Sequence, residues 1–431
     1  MRSIVAALIL LLAPAPALAD SVVITADRMV DVLAGRIVEE PVIVVTDGRI
    51  VAVVGRGGAQ PIMPEGARRI DLPGMTLLPG LIDMHVHLTS SPFIRGYRRL
   101  EVTDSFWPTI GVPNARAMLE AGFTTIRNVG SANYADVGLR QGIERGLYPG
   151  PRIIPAGPSF GPTGGHCDTN DLPPSLTFRD GERGVNGVEA VRLRVRLNRR
   201  YGAQAIKLCV TGGVFSANTS PGAQQMSDAE IAAAVEEAHM LGMRVAAHAH
   251  GAAGIRAAIR AGVDTIEHAS LVDADGIRLA RERGTWFSMD IFNTEYTQAE
   301  GARNGVPEEN LQKDRDVAQA QRDNFRAAHR AGVRMVFGSD AGVMPHGTAG
   351  GQFRYMVQYG MTPLEAIQAA TRNAAQALGR EADVGAIAVG RFADLIAVDG
   401  DPLADVRQLE SVDVVIKGGA LVSDRRAAPP R

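Results

Sequence analysis

Six times the chain repeats one phrase: a glycine closes an Ala- and charge-rich stretch, and a short β-branched or apolar run follows at once. The copies are "EAGFTTIRNVG", "YGAQAIKLCV", "LGMRVAAHAH", "AGVDTIEHAS", "RGTWFSMD" and "AGVRMVFGSD", with glycines at 122, 202, 242, 262, 284 and 332. Glycine just past a helix suits the left-handed cap conformation, and the apolar run after it reads as a parallel strand buried on both faces. Adding "TLLPGLIDMHVHL" ahead of the six and "RIIPAG" at 152–157 makes eight strands. Amphipathic segments separate most of them, such as 227–241, where Ser227 and Glu230 form a capping box. Eight βα units over 76–379 predict an α/β protein with a (β/α)8 TIM-like barrel, whose chemistry gathers at the C-terminal strand ends. A doubly wound open sheet is the competing architecture.

The ends of the chain follow a different period. Residues 20–75 alternate in twos around Asp47-Gly48, and 380–424 do the same around Gly418-Gly419. Neither stretch is long enough for a comfortable core of its own, so they are expected to pack together as one small composite β-sandwich domain. Residues 425–431 are a tail. Ahead of the first strand, Arg2, the apolar run Ile4–Leu12 and the Ala17-x-Ala19 ending read as a signal peptide over 1–19. The run is shorter than the roughly 20 residues that span a bilayer. A periplasmic or secreted protein, free of the membrane after cleavage, is therefore expected. That compartment permits a disulfide, but Cys167 and Cys209, the only cysteines, are read as buried free thiols. Two cysteines also exclude a Cys-based zinc module. A net charge of −2 supplies no field to gather nucleic acid, and the composition leaves a homo-oligomer open.

Polar residues interrupt the apolar runs where chemistry is expected. In "GLIDMHVHL", His85 and His87 sit two apart and share a strand face. Two neutral imidazoles converging on one point can bind a divalent metal, although a pair of hydrogen-bonded histidines is the plainer alternative. Lys207 falls late in the fourth run, His248 in the fifth, His268 in the sixth and Asp340 after the eighth. Each alone has an ordinary structural explanation. Four His, one Lys and one Asp at the strand ends of one barrel suit a two-metal hydrolytic site.

"DMHVHL", "AIKLC", "AAHAHG", "TIEHAS" and "FGSDAG", in this order, resemble the amidohydrolase superfamily, over nearly the whole chain after residue 19. The resemblance is closest to the imidazolonepropionase-like branch, which includes prolidases, dipeptidases releasing C-terminal Arg or Lys, and ochratoxin-type amidases. It implies that His85, His87 and Asp340 bind one divalent metal ion, with Zn2+ expected, and that His248 and His268 bind a second. It further implies a bridge through N6-carboxylysine at Lys207. A lysine inside a barrel loses hydration, so its neutral amine can capture carbon dioxide as a carbamate. Asp340 is the expected proton carrier between water and leaving amine. Lys207 also distinguishes the chain from the mononuclear deaminases of the superfamily, which carry a catalytic Glu where "HAHGAAG" follows His248 here.

Five further residues are candidate substrate contacts. His166 lies in the glycine-rich "GPTGGHCD" and, by resemblance, faces the substrate carboxylate; His250 and His346 fall near the mouth. Asp290 and Glu295 close the seventh run and have no metal to bind, so they could pair with a cationic side chain; internal pairing is the alternative. The insert "QAEGARNGVPEENLQKDRD" reads as a lid-like loop running into a helix. The expected activity is hydrolysis of a dipeptide or N-acyl amino acid, with Arg or Lys at the released end. Prolidase, ochratoxinase-like and cyclic-amide hydrolysis are the alternatives.

Overall fold

The computed structural model describes residues 21–426 apart from 171, 174 and 176–183. The expected signal segment and most of the tail lie outside the described residues. Strands β1 (Ser21–Asp31), β2 (Arg36–Glu39), β3 (Val42–Thr46), β4 (Arg49–Val54) and β5 (Arg68–Pro79) precede eight short strands. These are β6 (Leu81–Val86), β7 (Phe123–Asn128), β8 (Arg152–Pro155), β9 (Ala205–Cys209), β10 (Arg244–Gly251), β11 (Thr265–Leu271), β12 (Trp286–Ser288) and β13 (Met335–Val336). Strands β14 (Leu395–Asp399), β15 (Val414–Lys417) and β16 (Ala420–Asp424) follow.

The six repeat glycines all have positive φ, between 71° and 99°. A residue with a Cβ would be strained there, which is why each helix-to-strand reversal uses glycine. Ser227 caps the helix Asp228–Met240 through the expected box with Glu230.

Strands β6, β7 and β8 pair in parallel, and β9 to β13 form a second parallel sheet in sequential order. Hydrogen bonds join the two sheets at both seams. On one side Met84 N donates to Phe337 O and Asp340 N to His85 O; on the other Gln204 N donates to Pro155 O and Cys209 N to Phe160 O. The strands thus follow one another around the ring of a TIM-barrel-type fold, and the open-sheet alternative fails at these two seams. Apart from β8, which alternates between half-buried and buried residues, the ring strands are buried on both faces over most of their length, as runs lined by helices outside and packed side chains inside must be.

Strands from both ends of the chain share one hydrogen-bonded sheet, ordered β16-β15-β14-β5-β1-β3-β4 with β2 on the side of β1. Val22, Ile24, Ile43, Leu72, Leu395 and Ile416 belong to one buried cluster on it. Asp47-Gly48 and Gly418-Gly419 turn its two tight hairpins, with positive φ at all four residues.

One expectation is corrected. Cys167 and Cys209 are disulfide-bonded, with Cα atoms 5.8 Å apart, and not free thiols. The glycine-rich loop brings Cys167 against the end of β9, a proximity between residues 42 apart that their local sequence does not carry. The charged insert is mostly helical. Helix Ile291–Glu300 is separated from the 23-residue helix Glu308–Arg330 by residues 301–307 alone. Near its start, Asn310 Nδ2 and Lys313 Nζ donate to the carbonyls of Val214 and Ser216, so the segment clamps the loop after β9.

Candidate active site

Strand alternation and ring closure aim the polar side chains of β6, β9, β10 and β11 at one point with Asp340. Lys207 Nζ lies 3.3 Å from His85 Nε2. Asp340 Oδ1 lies 3.5 Å from His85 Nε2 and 3.4 Å from His87 Nε2. The donor atoms of His85, His268 and Asp340 are mutually within 4.8 Å, and so are those of His248, His250 and His268. Two groups of three donors therefore share His268. All six expected ligands converge, and His250 joins them.

The backbone is held in an unusual state at this point. His268 and Asp340, neither a glycine, have φ of 71° and 57°. Non-glycine residues in the left-handed region cost about 1–3 kcal/mol each and gather where function requires them.

Each imidazole is oriented from behind. Glu267 Oε2 lies 2.9 Å from His85 Nδ1, which keeps that proton in place and turns the Nε2 lone pair toward the cluster. Arg127 holds Glu267 in turn, with Nη2 to Oε1 at 2.6 Å and Nε to Met84 O at 2.7 Å. His250 Nδ1 faces Ser270 Oγ at 2.9 Å. His248 Nε2 faces Gly212 O at 3.1 Å, leaving Nδ1 as its free lone pair. Asn293 Nδ2 donates to Asp340 Oδ2 at 3.2 Å.

The electrostatics favour a ligand set. Burial, aided by the Lys207 charge, drives His85 well below the ordinary imidazole range. Burial and the neighbouring imidazoles do the same to His248 and His250. Neutral imidazoles are the form that binds metal. Burial lowers Lys207 to about 8 against the pull of Glu267 and Asp340, so a neutral amine is accessible near neutral pH. Burial raises Asp340 to about 7, with the Asp290 charge adding to it and His268 opposing. A buried carboxyl surrounded by imidazoles and one amine fits divalent metal chemically; it relieves the carboxylate and uses the open lone pairs.

The remaining candidates divide. His166 stacks on His248, ring centroids 3.9 Å apart and planes 15° from parallel. Its Nδ1 lies 2.8 Å from Ser216 Oγ, and burial holds it to about 3, so it reaches the site as a neutral ring. His346 is buried, and its Nε2 meets His87 O at 3.0 Å, which holds the end of the ligand-bearing strand. Asp290 and Glu295 are both paired internally, the alternative that the sequence left open. Asp290 is buried beside His268, so it is no free acid at the mouth. Glu295 is bound by Arg322 at 2.5 Å and by Tyr359 Oη at 3.3 Å. Their charges are already matched within the protein.

The sequence reading did not find Glu267, Arg127, Asn293, Gln321 or Ser270. Glu267 beside His268 in "TIEHAS" was the one visible signal, since a charged residue in the middle of an apolar run requires a buried partner.

A model of the amidohydrolase family matches residues 76–422. Ochratoxinase from Aspergillus niger is 33% identical over 368 residues, covering 80% of this chain and 75% of that protein. Among solved structures, a Xaa-Pro dipeptidase with methionine bound in its active site is similar with a TM-score of 0.88. It is 37% identical, covering 94% of this chain and 100% of that one. A prolidase complexed with N-methylphosphonate-L-proline matches with a TM-score of 0.86 and 34% identity, covering 94% and 100%.

Proposed function

The chain belongs to the amidohydrolase family and is a hydrolase of amide or peptide C–N bonds, and from that premise we propose that it cleaves dipeptides and N-acyl amino acids at a binuclear metal centre. The observation that carries this reading is the pair of donor groups sharing His268, with Lys207 Nζ 3.3 Å from His85 Nε2. His85, His87 and Asp340 would hold one divalent cation, and His248 and His268 a second. A carbamate on Lys207 would serve both, with zinc the metal expected.

Divalent cations so held supply Lewis acidity toward water and the scissile carbonyl. The protein's own residues do the rest. Asp340 accepts a proton from the attacking water and returns it to the departing amine nitrogen. Asn293 fixes the carboxylate oxygen that faces away from His85 and His87, so the proton carrier has one orientation. His166, neutral and stacked on His248, contacts the substrate from the glycine-rich loop.

We propose an uncharged residue at the released end, proline included, as the names of the Xaa-Pro dipeptidase and prolidase suggest. Release of Arg or Lys loses its support, because Asp290 and Glu295 are paired internally. The disulfide supports an oxidising compartment and hence the export expected from residues 1–19. Among the described residues no helix is long and apolar enough to cross a membrane.

The test is a library of dipeptides and N-acyl amino acids varied at the C-terminal residue, assayed with zinc and bicarbonate. Turnover of Xaa-Pro or apolar-ended compounds supports the reading. Turnover confined to Xaa-Arg and Xaa-Lys reverses the specificity, and none at all removes the dipeptidase assignment.

A further inference from the structure

Arg95 follows β6 by nine residues and reaches over the mouth of the ring. Its Nη2 donates to Val343 O at 2.8 Å and its Nε to Pro92 O at 3.1 Å. Val343 comes three residues after Asp340, on the loop beyond β13. The face of the same guanidinium lies 4.7 Å from the ring centroid of Phe215, on the loop beyond β9. Strands β13 and β9 are opposite edges of the five-stranded sheet, so one side chain spans two rims of the mouth.

The charge on this side chain is unmatched. Arg95 makes no ion pair among the described residues; its hydrogen bonds go to two neutral carbonyls, and none engages Nη1. Burial lowers its pKa to about 10, with the Asp340 charge opposing, so it stays a cation at neutral pH. Asp340 is the acid whose field it feels, and that carboxylate faces His85 and His87. A half-buried guanidinium held only by carbonyls lacks the anion that would complete it, and its planar fork matches a carboxylate. His166 supplies no such charge, being neutral and already bonded to Ser216.

We infer that Arg95 is a specificity residue that binds the free carboxylate of the substrate's C-terminal residue. The assignment rests on the hydrolytic reading above and restricts it: the scissile amide must be followed by a free acid. Esters and carboxamides of the same compounds leave the guanidinium unpaired and are disfavoured.

The experiment compares wild type with Arg95→Gln and Arg95→Lys, each loaded with zinc. The substrates are an N-acyl amino acid and its carboxamide, alike in acyl group and side chain. Calorimetry of the free amino acid against its amide gives a second readout that needs no turnover. Wild type should prefer the acid in kcat/KM. Arg95→Gln should lower the acid-to-amide preference about 30-fold or more and weaken binding of the free amino acid. Arg95→Lys should fall between them, keeping the charge and losing the fork; it also carries the test if the glutamine variant does not fold. An unchanged preference in an active, folded variant overturns the role of Arg95 alone. So does an equal loss on acid and amide. A wild-type enzyme that cleaves neither compound overturns the hydrolytic reading and this assignment with it.

Discussion

His268 Nδ1 lies 2.9 Å from Asp290 Oδ1, and Gln321 Nε2 reaches the same oxygen at 3.1 Å. Burial opposes charge on both partners. Their mutual attraction outweighs it, so His268 is raised and Asp290 lowered from their ordinary pKa values. An acid in this position orients a metal-ligating ring and raises its basicity. Asp290→Ala should therefore weaken metal retention about 10- to 100-fold, measured by titration against a competing chelator. The ranking of C-terminal residues should not follow it. A variant that keeps its metal and loses only cationic substrates would return Asp290 to the substrate pocket.

Lys207 and Asp340 should separate into two phenotypes. Lys207→Ala should emerge from gel filtration with less metal than wild type, and short carboxylates such as acetate should restore part of the activity. Asp340→Asn should lower kcat about 10²- to 10⁴-fold, with a much smaller change in KM. Full metal occupancy with normal turnover in Lys207→Ala would remove the bridge. Near-normal kcat in properly metallated Asp340→Asn would move proton transfer to another group.

The disulfide joins the residue after His166 to the strand that carries Lys207. Replacing both cysteines by serine should lower unfolding free energy by about 2–4 kcal/mol, read from urea midpoints with and without reductant. KM should rise more than kcat falls if His166 contacts the substrate as proposed. If KM stays constant, Ser216, on the ring at 2.8 Å, and Gln225, accepting from the backbone N–H at 2.9 Å, are enough to position His166.

Asp136, which is none of the expected ligands, gives a pH test. Burial raises it to about 6, although Asn128, Gly157 and Val137 all donate to it. The folded protein holds this proton more tightly than the unfolded chain, so stability falls as pH rises from about 4 to about 6 and is level above that. A shift of this size corresponds to about 3 kcal/mol. Asp136→Asn should lack this component, so wild type should lose ground to the variant across that interval in denaturant titrations at several pH values. Parallel stability curves for the two would show that Asp136 does not titrate there.

Much was legible along the chain. Glycines at 122, 202, 242, 262, 284 and 332 marked the helix-to-strand reversals, because only glycine takes the required φ without strain. The two-residue period placed His85 and His87 on one face; Lys207, His248 and His268, expected at strand ends, lie within β9, β10 and β11. These are local properties, set by backbone sterics and burial.

What met across the ring was not local. His85 and Glu267 are 182 residues apart, Arg127 and Glu267 140, and Arg95 and Val343 248. A period tells which face a side chain takes, not which side chain opposes it; that depends on how the strands close and on where each loop returns. For the same reason the sequence left open whether Asp290 and Glu295 pair internally. The sequence by itself determined the strands, their polar ends and the chemistry those residue types allow. Only the tertiary structure decided which charges are matched inside the protein, and that Arg95, beside the mouth, makes no ion pair among the described residues.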